Sequence, residues 1–454
     1  MARRCEVTGA AGFNREFDHR DETMFRQRQE LLFPDVVADA KVSDKASSTF
    51  IDNMSRPIHR WFRYSAGFST KWIAEVIHEA ETRDRLRVFD PFAGSATTLL
   101  AAEALGAESW GVEAHPFICR IARAKLQWRS DPDAYQRKIK ELRDTADCLT
   151  PSHDGYPPLI YKCYERESLA ELDVLRQAFE IIKDDSPASE LLWLTLVAIL
   201  RKTSCAGTAQ WQYILPRKRK RSAVDVRSAY SDCARMIHRD MLECRPAAGP
   251  KPRFIQGDAR TCGGVPDRFA NLVVTSPPYP NNFDYADATR LEMSFFREIN
   301  GWGDLQGAVR SRLVRSCSQH VPERSLDLAE VLAAPELEPI RQELSNVCEE
   351  LAEVRKTKGG KKTYHLMVAC YFHDLALVWR ALRRVCESGA KVCFVIGDSA
   401  PYGVYVPVVP WLGVLAEAAG FHAWRFEETR QRNIKWKNRK HRVPLKEGQL
   451  WVEG

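Results

Sequence analysis

Residues 85–116 read RLRVFDPFAGSATTLLAAEALGAESWGVEAHP, and two changes of periodicity inside them decide the fold. RLRVFDPF is an apolar run of strand length that ends in a loop containing Gly94, and Ala93 to Thr98 form a turn of small residues. TLLAAEALG then carries helical spacing and stops at Gly106, after which SWGVEAHP returns to a strand. The pattern is a βαβ unit. In such a unit the turn after the first strand and the tip of the second both lie at the carboxyl edge of a parallel sheet, where ligands bind. A ligand site is therefore expected between the 90–98 loop and Glu113.

Working outward, residues 1–50 show no clear periodicity and are read as an N-terminal arm. HRWFRYSAGFSTKWIAEVIHEAETRD predicts a turn followed by an amphipathic helix leading into the first strand. After the helix FICRIARAKLQWR, residues 130–249 read as an inserted, mainly helical subdomain, with helical runs ESLAELDVLRQAFEIIK and ELLWLTLVAILRK and a loop at PRKRKR. Strands resume at RFIQGDAR and NLVVTSPPY, and residues 284–362 form a second, polar and partly helical insertion. YFHDLALVWRALRRVCESG is expected as an amphipathic helix with a glycine stop, KVCFVIGDS as a buried strand, VPWLGVLAEAAGF as a helix, and AWRFEETR and QLWVE as a final pair of strands. The main domain thus comprises residues 51–129 and 250–454, with an α/β architecture built on a mostly parallel sheet.

Composition excludes several classes. The 44% hydrophobic and 28% charged shares are those of a globular chain rather than a disordered or fibrous one. No stretch reaches the roughly 18 apolar residues of a membrane span, and the opening residues carry no apolar leader, so a soluble cytoplasmic protein without membrane contact is expected. Thirteen cysteines without a C-x-x-C pair fit reduced thiols, not a zinc knuckle, and no metal is expected. The net charge of +7 is concentrated in RKRKR at 217–221 and RQRNIKWKNRKHR at 430–442. Arg217, Lys218, Arg219, Lys437 and Arg439 are candidate phosphate contacts, although a solvated face reads equally well.

The loop Asp90-Pro91-Phe92-Ala93-Gly94-Ser95-Ala96-Thr97-Thr98 resembles the cofactor motif DPFxGSGTT of DNA amino-methyltransferases, with Ala96 in place of the second glycine. The resemblance implies a class I methyltransferase fold, Rossmann-like with a mostly parallel seven-stranded sheet, and S-adenosylmethionine as cofactor. Small residues there let the backbone approach the cofactor's methionine portion, and Asp90 accepts a hydrogen bond on that side. Glu113 is suited to both ribose hydroxyls, Asp258 in IQGDAR to the adenine amino group, and Phe68 equally to capping the pocket or to the core. Thr275-Ser276-Pro277-Pro278-Tyr279, directly after NLVV, resembles the catalytic motif of the same enzymes. An exocyclic amine conjugated with its ring is a poor nucleophile, so acceptors must draw on its hydrogens as it attacks. Ser276 and the Pro277 carbonyl can do so, Pro278 stiffens the turn, and Tyr279 can stack on a base taken out of the duplex. NNFDYADATRLE continues the likeness, making Asn282, Asp284 and Tyr285 neighbours of that base.

Serine before Pro-Pro-Tyr is more typical of cytosine-N4 enzymes than of adenine-N6 enzymes, and no Pro-Cys dipeptide for carbon-5 methylation occurs. The cofactor loop precedes the catalytic loop, opposite to the order common among cytosine-N4 enzymes, so adenine-N6 stays open. An RNA methyltransferase and a catalytically silent DNA-binding subunit are the further alternatives. The implied partners are double-stranded DNA, with association to the nucleoid through it, and a cognate restriction endonuclease or other defence partner. Target recognition falls to 284–362, 130–249, or both.

Overall fold

In the computed structural model, residues 50–64, 68–80, 85–209, 212–245, 249–281, 283–321, 326–359, 362–432 and 444–454 are described. Helix α1 (Thr70–Ala80) leads into β1 (Arg87–Asp90), α2 (Thr97–Ala104), β2 (Glu108–Glu113) and α3 (Pro116–Lys125), the βαβ unit expected from the sequence. Helices α4 (Pro132–Ala146), α5 (Pro158–Cys163), α6 (Arg166–Ile182) and α7 (Pro187–Thr203) follow, then a ribbon of β3 (Ala206–Thr208) and β4 (Ile214–Arg219), and α8 (Val226–Cys244). Strands β5 (Arg253–Gln256) and β6 (Ala270–Thr275) return to the sheet. The second insertion holds α9 (Tyr285–Ala288), α10 (Arg290–Phe295), α11 (Leu305–Ala308), α12 (Leu328–Leu332) and α13 (Arg341–Lys356). Helix α14 (Tyr364–Val385), β7 (Cys386–Gly397), α15 (Val408–Ala418), β8 (Ala423–Arg432) and β9 (Leu445–Glu453) complete the order.

The sheet has seven strands in the order β5-β2-β1-β6-β7-β9-β8. β5 to β7 run parallel, and β9 is antiparallel to both of its neighbours. This is the α/β, class I methyltransferase architecture. Chain order reverses between β1 and β6, so the loops leaving these two strands diverge and open a crevice at their carboxyl ends. Close packing of α2 on the sheet fixes Gly111 in β2, where a Cβ would lie 2.7 Å from the Leu99 side chain.

The helical insertion does not build a core of its own. One apolar cluster runs from Ile58 and Trp61 through Phe117, Leu142, Trp193 and Ile237 to Phe295 and Val309. It therefore joins the segment before α1, both insertions and α3. Among the described residues, no helix is long and apolar enough to cross a membrane.

Two local expectations are corrected. PRKRKR is not a loop: Pro216 to Arg219 lie in β4, anchored by buried Ile214 and paired antiparallel with β3. Its exposed basic residues hid the strand because only one end of it packs. Gly389 does not stop a helix. The helix ends at Val385 and Gly389, at φ 76°, sits inside β7 where the register with β6 shifts between Ala270 and Leu272. A bulge needs that conformation, which glycine adopts without a Cβ clash.

Ala96 occupies the left-handed region, φ 68° and ψ 30°, immediately before α2, and is fully buried. The loop thus keeps the conformation that glycine would adopt freely, at a cost of about 1 kcal/mol for a residue with a Cβ. Ala96→Gly is expected to raise the unfolding free energy by about that amount, read from denaturant midpoints at constant slope; an unchanged or lower midpoint would refute it.

Candidate active site

The site is assembled from the carboxyl ends of β1, β2, β5 and β6. Asp90 closes β1 and is 1% exposed. Its Oδ1 accepts from the Phe92 amide at 3.0 Å and the Thr275 hydroxyl at 2.6 Å, while Oδ2 accepts from the Thr98 hydroxyl at 2.6 Å. One carboxylate thereby holds the 90–98 loop, the first turn of α2 and the end of β6 together. Burial pushes its pKa up to about 6, against the pull of these three donors.

Glu113 ends β2. Its Oε2 accepts from the Gly94 amide at 2.9 Å and its Oε1 from the His115 amide at 2.8 Å. Burial, with a smaller contribution from the Asp90 charge, raises its pKa to about 7. Asp258, after β5, accepts from the backbone and side chain of Arg260 at 2.9 Å, and Arg260 in turn reaches Asp374 of α14 at 3.3 Å. The Thr275–Tyr279 turn is pinned to β7 and the loop after it. Ser276 Oγ donates to the Val395 carbonyl at 3.2 Å, and Ser399 Oγ to the Pro280 carbonyl at 2.9 Å. Tyr279 is half-buried with the Arg432 guanidinium 5.3 Å above its ring.

A cleft open to solvent, with about 630 Å³ of empty space, joins these parts. Pro91, Phe92, Gly94, Glu113, Asp258, Ser276, Pro278 and Tyr285 line it. Ala93, Ser95, Thr97, Thr98 and Pro277 are buried, and with Asp90 they support the lining rather than form it. Phe68 packs edge-on against Trp72 at 5.6 Å within the core beside α1, and Tyr64, four residues earlier, lines the cleft instead. Arg217, Lys218 and Arg219 stand exposed on β4, away from this lining. Asn282, Lys437 and Arg439 lie outside the described residues.

Asp284 does not face the cleft either. Its carboxylate is buried, accepting from Arg310 at 2.6 and 3.0 Å and lying 3.3 Å from His320 Nε2. These partners draw its pKa down to about 2, while His320 is raised to about 10. His115, Arg312, Leu313 and Val314 line the cleft without having been singled out from the sequence. His115 was legible in principle, since it follows Glu113 by two residues at the β2 tip. The other three come from the second insertion, and no local pattern marks them.

The lining suits an adenosyl-methionine cofactor. Gly94, at φ 51°, lets the Tyr64 ring lie against its backbone, where a Cβ would come within 3.0 Å, and both residues line the cleft. Two carboxylates, Glu113 and Asp258, offer acceptors at successive strand ends and a negative field for a cationic sulfonium.

Because the folded protein retains the Glu113 proton up to about pH 7 and the unfolded chain releases it near its ordinary value of 4.5, this group costs stability as pH rises through that window. Glu113→Gln, free of cofactor, should exceed the parent by roughly 3 kcal/mol at pH 8, the gain shrinking towards pH 4.5, and should bind S-adenosylmethionine more weakly. Denaturation at several pH values and calorimetric titration measure both; a pH-independent difference would contradict it.

A family model described as DNA methylase matches residues 19–124. The Type II methyltransferase M.AvaI of Nostoc sp. (strain PCC 7120) is 25% identical over 408 residues, covering 82% of this chain and 81% of that protein. The Type II methyltransferase M.BsoBI of Geobacillus stearothermophilus is 23% identical over 447 residues, covering 90% and 87%. No solved structure matches. Sheet order, cleft and relatives converge on an amino-methylating (N4/N6) DNA methyltransferase, the kind of enzyme this chain is similar to, with S-adenosylmethionine as methyl donor.

Proposed function

We propose that the chain methylates N4 of cytosine in double-stranded DNA, on a base rotated out of the duplex, as the modifying partner of a cognate restriction endonuclease. The observation that carries this reading is the placement of Ser276. Its hydroxyl lines the cleft shared with Gly94 and Glu113 while donating its hydrogen to the Val395 carbonyl. Its lone pairs are thereby left to accept from an amino group, as a neutral hydroxyl in front of an exocyclic amine should do.

S-adenosylmethionine, when bound, supplies an electrophilic methyl carbon. The chain's own groups do the rest. Ser276 Oγ and the Pro277 carbonyl accept the two amino hydrogens and turn the nitrogen lone pair towards the methyl group; Pro277 and Pro278 fix the backbone that presents them. In-line attack would form the nitrogen–methyl bond as the sulfonium–methyl bond breaks, leaving S-adenosylhomocysteine, with no covalent bond to the enzyme, and one amino proton would pass to solvent. Glu113 and Asp258 hold the ribose and adenine ends, with Phe92 and Tyr64 closing the apolar side. Tyr279, steadied by Arg432, stacks on the extruded base and offsets part of an unstacking cost of a few kcal/mol. Residues 130–249 and 284–362 supply the DNA contacts, Arg217, Lys218 and Arg219 among them, with Lys437, Arg439 and Asn282 assigned to phosphates and base by sequence alone.

The relatives being type II methyltransferases supports the restriction–modification setting. Motif order favours a second reading, adenine N6, and one experiment separates the two. Duplex DNA incubated with protein and labelled S-adenosylmethionine, digested and analysed by mass spectrometry, should yield labelled N4-methylcytosine. Labelled N6-methyladenine would overturn the base assignment, and no labelled base would overturn the substrate. Ser276→Ala should lower the methyl-transfer rate by about 100-fold with cofactor affinity retained; full activity would remove Ser276 from the reaction.

A further inference from the structure

The two insertions face each other across a second cleft, of about 1130 Å³, distinct from the cofactor cleft. One wall comes from α5 and β4 and carries Lys162, Arg217 and Lys218. The other comes from α10 and the turn after it and carries Arg290 and Trp302. Four cations and no carboxylate line it. Lys162, Arg217 and Lys218 are exposed and in no ion pair among the described residues, whereas Arg290 is paired with Asp287 at 2.8 Å.

Trp302 is 48% exposed, the only tryptophan among the exposed large apolar side chains of the described residues. Its indole is not loose. The Arg310 guanidinium lies 3.9 Å from the ring centre, and that arginine, 2% exposed, is bound to Asp284 at 2.6 Å. The ring is therefore held facing solvent by a buried ion pair five residues beyond the catalytic tyrosine. The insertions that carry the walls are locked to each other behind the cleft: Arg201 of α7 reaches Glu292 of α10 at 2.9 Å and the Ala288 carbonyl at 2.6 Å. Tyr285, which lines the cofactor cleft, and Arg290, which lines this one, stand five residues apart on consecutive helices.

We propose that this cleft holds the DNA strand flanking the target base, with Lys162, Arg217 and Lys218 on phosphates and Trp302 stacked on a base. Both insertions then build one recognition surface. The inference rests on the chain being a DNA methyltransferase and adds where and by which groups the duplex is held. Unpaired cations without opposing acids match a polyanion, and a fixed aromatic face among them matches a base, since an aromatic already in place loses little freedom on stacking.

The test uses the full chain with a short labelled duplex, measuring affinity across a salt series together with cofactor affinity and thermal midpoint. Simultaneous Lys162→Ala, Arg217→Ala and Lys218→Ala substitution should flatten the log affinity against log salt slope by two to three and weaken binding at least about tenfold near 0.1 M salt. Trp302→Ala should weaken binding by about tenfold and Trp302→Phe much less, with cofactor affinity and thermal midpoint unchanged. Wild-type protein that binds and methylates DNA, with these variants retaining its affinity and salt slope, would overturn the inference and leave the enzyme assignment standing. Wild-type protein that leaves duplex DNA unmethylated and prefers RNA of the same sequence would overturn both.

Discussion

The carboxylate of Asp90 is the constraint on which the site depends. It sits where the order of the sheet reverses, and its three donors belong to three different pieces of chain: the cofactor loop, the first turn of α2 and the last residue of β6. A hydrogen bond to a charged group is worth about 1.5 to 3 kcal/mol net, and a buried carboxylate without partners is far costlier than one with them. The 90–98 loop and the Thr275–Tyr279 turn are therefore not free to shift separately. With a pKa of about 6, Asp90 is mainly ionised at neutral pH, and its charge is one reason that Glu113 beside it is harder to ionise. The two acids differ in use. Asp90 is saturated by protein donors, whereas Glu113 is held by two amides at the cleft edge.

A second buried carboxylate organises the outer half of the site. Asp284 joins Arg310, His320 and the first turn of α9, and Arg310 extends the connection to Trp302. Asp284, Cys317 and His320 have ligand atoms within 4.8 Å of one another, a grouping that elsewhere could hold a cation. Here the guanidinium of Arg310 already matches the carboxylate, and His320, raised to about 10, is itself a cation at neutral pH. One carboxylate thus stands between two cations, and the net positive charge left over disfavours a further cation there. The cluster's place in the molecule is mechanical, tying the second insertion to the segment that leaves the catalytic turn.

Elements with their own periodicity were legible in the sequence. Val88 and Phe89 in β1, the small residues of α2 and the stop at Gly106 each carry a local signal, and the structure places them accordingly. Legibility fell where the deciding contact is distant. The β4 strand is specified by pairing with β3 and by one buried isoleucine, so its basic run reads as loop. Tyr64 and Phe68 are both aromatics in one short motif, and only the packing of Phe68 against Trp72 decides which of them meets the cleft. Asp284 sits beside the catalytic motif in sequence, yet Arg310 and His320, 26 and 36 residues away, turn its carboxylate inward.

The same reasoning explains why the insertions share one core with the segment before α1 instead of folding apart. A methyl group is transferred over a bond length, so a duplex gripped by a loosely hinged subdomain would present its extruded base with an error larger than the reaction tolerates. Continuous apolar packing from Trp61 through Trp193 to Phe295, reinforced by the Arg201 to Glu292 pair, removes that hinge. The exposed cations of the insertions are thereby carried on the same packed body as Ser276.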